Sequence, residues 1–467
     1  MVAARDTTPS AVVAYRRRRS GVAAQPRVKS VRWWVSPWWI VSYILIGGAA
    51  ALLVHWLHAL HQPTDLGQDQ QVPGLNSQAL AQAATYALPT LLVWIALFAL
   101  VDRYRPQRLR LVLLAVGWGG CVAVVGAYYI NTWAADHMAV INDTSGVQAV
   151  RAAVFVAPFV EEFCKACAIC LIALVERNVL TSRVSGAVLG GLAGAGFAFT
   201  ENIVYFARAI VYGSYTANTG DVQEAVHQLV MLRAVYTCFA HPLFTMMTGL
   251  GIAVAVASRS KVVRVVAPIT GYLAAALLHM TFNGLSSIMD MSVLIFVYVL
   301  VVLPMIVMVA LRLVLTTIRQ GQLVNARLLD YVVMGWLPAS YPAAFSRLRR
   351  RAWTVAISPW YGNVADTWRL QRAVTQLAYV REAIDRGTID QAGLWREREL
   401  IDRVHDLAQR RALVDGSGLR PYWPWRHWRR VGWFRWQNPA RSGGLPFQTG
   451  ALPLKYSTVD PRWGPPT

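Results

Sequence analysis

The stretch VLIFVYVLVVLPMIVMVALRLVL, residues Val293–Leu315, consists of apolar side chains apart from one charged residue, Arg312. A helix needs about 20 predominantly apolar residues to cross the hydrocarbon core of a bilayer. The whole chain of 467 residues is 55% hydrophobic, with a mean hydropathy of +0.38. These values exceed those of a soluble domain, so the sequence predicts an all-α membrane protein.

Several further stretches of this kind come before Val293, and the sequence predicts a polytopic bundle of about eight transmembrane helices. The predicted spans are Trp38–Leu57, Ala83–Val101, Leu109–Ile130, Ala152–Val175, Val184–Phe206, Leu229–Ala257, Val265–Leu285 and Val293–Leu315. The loops after the second, fourth and sixth spans are basic, whereas those after the first and third contain no Lys or Arg. The positive-inside rule then places both termini in the cytoplasm. We expect the protein in the plasma (cytoplasmic) membrane.

The chain divides into three regions by composition. Residues 1–35 are polar and basic and are predicted to be a disordered cytoplasmic tail. Residues 36–315 form the predicted transmembrane domain, and residues 316–467 form a soluble, cytoplasmic, partly helical region rich in Trp and Arg. Its segment RPYWPWRHWRRVGWFRW either lies at the lipid headgroups or forms a small core with solvated charges. With a formal net charge of +21, we expect anionic lipids at the cytoplasmic face as partners, and no nucleic acid.

Ionisable and amide residues inside four predicted spans are the main functional signal. A charged side chain at a helix centre costs about 2.5–3.5 kcal/mol on insertion scales, and such residues normally face the bundle interior. The residues are Glu161, Glu162 and Lys165 in the fourth span, Glu201 and Asn202 in the fifth, His241 in the sixth, and His279 and Asn283 in the seventh. Counting along the helices places them at compatible depths, in the outer half of the bilayer or near its middle. We therefore expect one polar cavity between the fourth to seventh spans.

Lys165 stands four residues after Glu161 and three after Glu162, so its ammonium group can reach either carboxylate. One buried ion pair could simply hold helices together. The second glutamate has no counter-charge on its own helix, and it must either stay protonated or find another partner.

Two backbone features accompany these residues. Gly186, Gly190 and Gly194 are spaced four apart, which predicts close packing against a neighbouring helix. Pro242, beside His241, predicts a kink in the sixth span because proline removes a backbone hydrogen bond.

Carboxylates, imidazoles and carboxamides in a dry pocket with some access to water suit hydrolysis. A glutamate can take a proton from water, a histidine can orient that water, and an asparagine can stabilise an oxyanion. The same groups could instead bind Zn²⁺ through two histidines and one glutamate, with Glu162, His241 and His279 as the candidate ligands. Both mechanisms remain open from the residues alone.

Four motifs in this order resemble the PrsW family of intramembrane proteases, which are related to the CAAX prenyl proteases and the bacteriocin-immunity proteins. The motifs are E-E-x-x-K (Glu161, Glu162, Lys165), F-x-x-x-E-N (Phe197, Glu201, Asn202), the histidine of AHPLF (His241) and H-x-x-x-N (His279, Asn283). The resemblance covers about Ala152 to Ser286.

The resemblance implies cleavage of a membrane-anchored substrate with a single span, with an anti-sigma factor as the founding example. It implies that Glu161 or Glu162 activates water with help from His241, and that Lys165 balances charge. Glu201, His279 and Asn283 would complete the site and stabilise the oxyanion. The family is often labelled a metalloprotease, whereas its prenyl-protease relatives resemble glutamate-dependent enzymes without metal.

Two other classes of function fit the same residues. A proton- or ion-coupled transporter also uses intramembrane Glu, Lys and His, and it would be expected to have inverted repeats and broken helices. A non-catalytic membrane scaffold would use the polar cluster only to lock helices together.

Overall fold

The computed structural model describes residues 37–65, 71–104, 106–137, 147–176, 179–180, 182–212, 221–258, 260–288, 291–385, 391–410 and 412–420. The predicted disordered tail 1–35 and the Trp- and Arg-rich segment after Arg420 lie outside these residues. The described chain is helical apart from short connections and one antiparallel pair of two-residue strands, β1 (Thr64–Asp65) and β2 (Gln71–Val72).

The helices are numbered here in chain order. They are α1 Pro37–Ala59, α2 Ser77–Val101, α3 Leu109–Gly117, α4 Val124–His137, α5 Val147–Phe155, α6 Ala157–Val175, α7 Arg183–Tyr212, α8 Val222–Val230, α9 Ala240–Ala257, α10 Lys261–Ile288, α11 Met291–Val297, α12 Leu303–Val333, α13 Tyr341–Ser346, α14 Leu348–Tyr361, α15 Val364–Asp385 and α16 Gln391–Gln409. Three π-helical segments connect neighbouring helices: Trp118–Ala123, Met231–Tyr236 and Tyr298–Val302.

Six helical stretches within the described residues are long and apolar enough to cross a membrane. They are Ser77–Val101, Leu109–Ala134, Arg183–Val211, Val222–Ala257, Lys261–Ser287 and Ile295–Val333. The protein is therefore an all-α, multi-pass membrane protein, as the composition predicts. The count of eight stays a prediction, because α1 contributes only a shorter apolar stretch, Tyr43–Ala59, and α6 carries three ionisable residues.

The described residues form two compact units. The first consists of residues 37–102 and 106–313, and the second consists of residues 103–104 and 314–420. In the first unit, large apolar side chains such as Leu92, Leu97 and Val265 point outward. Charged side chains on α6 point inward and are buried. This arrangement is the one expected of a bundle whose outer surface meets lipid.

In the second unit, an apolar core forms around Tyr331, Phe345 and Leu377. Arg351 is buried beside this core and donates hydrogen bonds to Thr375 Oγ1 (2.6 Å) and to the carbonyl of Phe345 (3.2 Å). Burial lowers the pKa of Arg351 to about 10, because the charged guanidinium is removed from water.

Helix α7 is the centre of the first unit and packs closely against α9. Each glycine of the predicted ladder lies directly on the α9 backbone. The pairs are Gly186 with Gly249, Gly190 with Thr245 and Gly194 with His241. The packing role of the ladder is therefore confirmed: without side chains, the two backbones approach closely enough to bring residues of both helices into one site.

Two predicted spans are interrupted near their polar residues. The fourth is divided at Val156 into α5 and α6, and Pro158 occupies the first turn of α6, where its missing N–H costs nothing. The sixth is divided at residues 237–239, between the π-helical segment Met231–Tyr236 and α9. The predicted kink at Pro242 is thus a full break just before it, with Pro242 inside the first turn of α9.

Candidate active site

Helix α6 carries three ionisable side chains on one buried face. Glu162 and Lys165 are completely buried, and Glu161 is 8% exposed. The ammonium nitrogen of Lys165 lies 2.9 Å from Glu162 Oε1 and 3.4 Å from Glu161 Oε2. One ammonium group therefore faces both carboxylates, at the i+3 and i+4 spacings that the sequence contains.

Glu162 has further partners on two other helices. Its Oε2 accepts a hydrogen bond from Thr245 Oγ1 of α9 at 2.8 Å. Its Oε1 lies 3.2 Å from Nδ1 of His279 on α10. Both oxygens of this buried carboxylate are thus engaged, and α6, α9 and α10 are joined through it.

Lys165 also contacts residues of α7 and α9. Its nitrogen lies 3.0 Å from Nδ1 of His241 and 3.7 Å from the ring centroid of Phe197. The aromatic ring offers a favourable cation–π contact to the ammonium. Phe197, the first residue of the F-x-x-x-E-N motif, therefore lines the site beside the lysine.

The carboxylate of Glu201 on α7 lies on the other side of the His241 ring. Its Oε2 is 2.8 Å from His241 Nε2 and 2.6 Å from Nη2 of Arg233. Arg233 also donates through Nε to Oδ1 of Asn202 at 2.8 Å. A chain of polar contacts therefore runs from Asn202 and Arg233 through Glu201 to His241.

The hydrogen-bonding partners fix how each imidazole is oriented. An ammonium group has only donors, so His241 Nδ1 accepts from Lys165 and its neutral ring carries the proton on Nε2, which donates to Glu201. A carboxylate has only acceptors, so His279 donates from Nδ1 to Glu162, and in the neutral ring the lone pair is then on Nε2. That nitrogen lies 3.9 Å from Glu161 Oε2, and the two imidazole rings are 5.0 Å apart.

Glu161, His241 and His279 offer three possible metal-ligand atoms within 4.8 Å of one another. Two imidazole nitrogens and one carboxylate oxygen form a common ligand set for catalytic zinc. The sequence prediction named Glu162 as the carboxylate ligand, but the structure gathers Glu161 with the histidines. The physical reason is that both oxygens of Glu162 are engaged by Lys165, Thr245 and His279.

The charge of the cluster also fits a cation. The carboxylates of Glu161, Glu162 and Glu201 face only two full positive charges in the cluster, on Lys165 and Arg233. If His241 Nδ1 bound a cation, the Lys165 ammonium could no longer donate to that nitrogen. The ammonium would still be paired with Glu162. The donor set and the charge therefore fit a divalent metal.

The two asparagines differ in their contacts with this cluster. Asn202 is buried and accepts from Arg233. Asn283 donates from its amide nitrogen to the carbonyl of Ala153 at 2.9 Å, in the last turn of α5, where helix carbonyls lack partners within the helix. The predicted role of Asn283 as an oxyanion donor stays a prediction, and one N–H of its amide is already used.

Two residues of the cluster, Arg233 and Thr245, were not among the predicted site residues. Arg233 is a charged residue within the predicted sixth span, so the argument applied to the glutamates also applied to it. Thr245 stands four residues after His241 and therefore shares its helix face. Its role could not be read from sequence, because threonine is common in packed membrane helices.

Residues 107–310 match the family model described as PrsW family intramembrane metalloprotease. No curated protein and no solved structure matches the chain at a significant level. The matched residues include every member of the cluster, and the motifs that suggested the family from sequence supply its glutamates, its lysine and its histidines. The chain is therefore an intramembrane protease, with residues 107–310 similar to the PrsW family.

Proposed function

We propose that this chain hydrolyses a peptide bond of a membrane-anchored substrate with a single span, at the site formed by α6, α7, α9 and α10. One observation carries the proposal: Glu161 and two differently oriented histidines converge from three helices inside an apolar bundle. An ion pair between Lys165 and one glutamate that only joined helices would not require the second glutamate or the two histidines.

Glu161 is the carboxylate proposed to take the proton from water. Its contacts are longer than those of Glu162, at 3.4 Å to Lys165 and 3.9 Å to His279 Nε2, and its side chain is 10% exposed. Glu162 has no exposed surface and is fully engaged. One oxygen of Glu161 is proposed to accept a proton as water attacks the carbonyl carbon, and to pass it to the leaving nitrogen as the C–N bond breaks, while the other oxygen is the one that could bind a metal.

The other carboxylates hold the histidines in place. Glu162 fixes His279 through Nδ1, and Glu201 fixes His241 through Nε2. In both rings the remaining nitrogen faces the interior of the cluster. When bound by Glu161, His241 and His279, a Zn²⁺ ion would lower the pKa of a bound water and polarise the substrate carbonyl.

Water and substrate are proposed to approach from the side of α7 and the π-helical segment. The side chains of Arg233 and Glu201 are 23% and 21% exposed, and that of His241 is 12% exposed. Those of Glu162 and Lys165 have no exposed surface. The break at residues 237–239 directly precedes His241 on this side.

The substrate class follows from the family resemblance. A regulator such as an anti-sigma factor, anchored by one helix, is the kind of protein proposed here. The predicted orientation of the spans would place cleavage near the extracytoplasmic end of that helix.

A proton- or ion-coupled transporter is the second candidate, because broken helices at membrane depth are a feature of transporters. The breaks at Val156 and at residues 237–239 are of this kind. Both, however, lie beside residues of the cluster, and the family match favours proteolysis.

The test uses full-length protein in proteoliposomes together with a panel of single-span membrane proteins. We expect fragments with wild type and with Glu224→Gln, an exposed glutamate outside the cluster, and none with Glu161→Gln. Chelation should stop cleavage and added Zn²⁺ should restore it. Equal cleavage by wild type and Glu161→Gln would refute the proposed site, and proton flux without cleavage would favour transport.

A further inference from the structure

Arg233 lies on a π-helical turn, where an extra residue in the turn changes the direction of the side chain. The segment Met231–Tyr236 follows α8 directly, and Thr237 N donates to Leu232 O at 2.8 Å, five residues back. Such turns are rare and are frequent at functional sites.

Helix α2 satisfies carbonyl groups that this turn and the break after it leave without partners. Thr90 Oγ1 donates to Ala234 O at 3.0 Å, and Trp94 Nε1 donates to Cys238 O at 2.9 Å. Backbone polar groups at membrane depth need such partners. The turn is therefore held at a defined place against α2.

The guanidinium group of Arg233 meets three side chains on one stretch of α7. It donates to Glu201 (2.6 Å) and to Asn202 (2.8 Å), and its carbon lies 3.9 Å from the centre of the Tyr205 ring. A planar guanidinium makes these two bonds and the ring contact in one fixed geometry, whereas the ammonium group of a lysine is a compact charge on a flexible stem and would fix the carboxylate less well.

We propose that Arg233 is a positioning residue of the protease: it fixes the Glu201 carboxylate, which in turn holds the His241 imidazole with its proton on Nε2. Arg233 reaches His241 only through Glu201. Within the described chain, none of its hydrogen bonds or ion pairs is to Glu161 or His279. This inference rests on the proposed function, because it assigns Arg233 a role in that reaction.

The experiment compares variants of the full chain in proteoliposomes. Arg233→Ala and Arg233→Lys should both lower kcat by about 10–100-fold, the loss typical when an outer partner of a metal-binding histidine is removed, while KM stays unchanged. Arg208→Ala removes an exposed arginine of α7 and should match wild type. Full activity of Arg233→Ala would overturn the inference, and full rescue by lysine would show that charge alone is needed, contradicting the positioning role.

The double variant Arg233→Ala/Glu201→Gln separates positioning from general damage. If the arginine acts through Glu201, the double variant is no slower than Glu201→Gln alone. Losses that multiply would overturn the inference, because the two residues would then act independently.

A second readout does not depend on proteolysis. ¹⁵N-histidine spectra of chelated full-length protein should show His241, assigned from His241→Gln, protonated only at Nε2 in wild type and as both tautomers in Arg233→Ala. An unchanged spectrum would contradict the positioning role. If Glu161→Gln cleaves as well as wild type, the proposed catalytic site is refuted, and this spectrum alone then decides whether Arg233 positions His241.

Discussion

The ammonium nitrogen of Lys165 lies 3.0 Å from Nδ1 of His241, a residue 76 positions further along the chain. The same ammonium lies 2.9 Å from Glu162 on its own helix. Lys165 therefore connects α6 to α9 and is more than a counter-charge for a neighbouring glutamate. Both carboxylates and the imidazole lie within 3.4 Å of this one buried ammonium group.

Replacing Lys165 by methionine should destabilise the protein strongly. The change keeps most of the side-chain volume but leaves Glu161 and Glu162 without a nearby positive charge. Removing one partner of a buried pair typically costs about 3–5 kcal/mol. Thermal unfolding of the detergent-purified protein measures the effect, and Lys261→Met, at an exposed lysine, should leave the melting temperature unchanged. Equal melting of the Lys165 variant and wild type would contradict the structure of the cluster.

Thr245 and Thr248 provide a matched pair on α9. Thr245 donates to Glu162, whereas the buried hydroxyl of Thr248 has no hydrogen-bond partner in the described part of the chain. Valine has nearly the same shape as threonine, so Thr245→Val leaves a buried carboxylate oxygen without its donor and should cost about 1–3 kcal/mol. Thr248→Val should be neutral or stabilising. Thermal unfolding of both variants checks this, and similar losses in both would show that the Thr245 bond is unimportant.

Much of the site could be predicted because buried charge in a membrane is costly and therefore informative. Six ionisable residues inside predicted spans could be identified for this reason, and the structure brings them together. They are Glu161, Glu162, Lys165, Glu201, His241 and His279. The membrane class followed from apolar runs such as Val293–Leu315, which have the length and composition of a helix that crosses a bilayer.

Other features depend on three-dimensional contacts that no residue pattern specifies. Which glutamate joins the histidines depends on Thr245 engaging Glu162 from another helix. The carbonyl of Ala153 can accept a hydrogen bond from Asn283 because α5 ends at Phe155. The sequence is continuously apolar there, so it did not predict the helix break at Val156. The break before Pro242 was likewise predicted only as a kink.

Glu161 and Glu162 should differ in what their loss does. Glu161→Gln removes the proposed base and should lower kcat by about 10²–10⁴-fold, the usual contribution of acid–base catalysis. Glu162→Gln leaves Glu161 in place but weakens the contacts that orient His279 and hold Lys165, and it should cost about 10–100-fold, with weaker zinc retention. Cleavage rates and zinc content of purified protein give both values. A larger loss in Glu162→Gln than in Glu161→Gln would reverse the two roles.

Gly194→Ala should separate the histidine from its carboxylate partner without changing any polar group. The added methyl group would meet the carbonyl of His241 and the nitrogen of Pro242, so α9 has to move away from α7. Since Glu201 is on α7, its bond to His241 Nε2 is lost and cleavage should fall along with thermal stability. The control is Gly47→Ala on α1, where nothing lies within 4 Å of the added carbon and helix propensity favours alanine by about 0.5–1 kcal/mol. Wild-type cleavage by Gly194→Ala would mean that the close approach of α7 and α9 is not what places His241 beside Glu201.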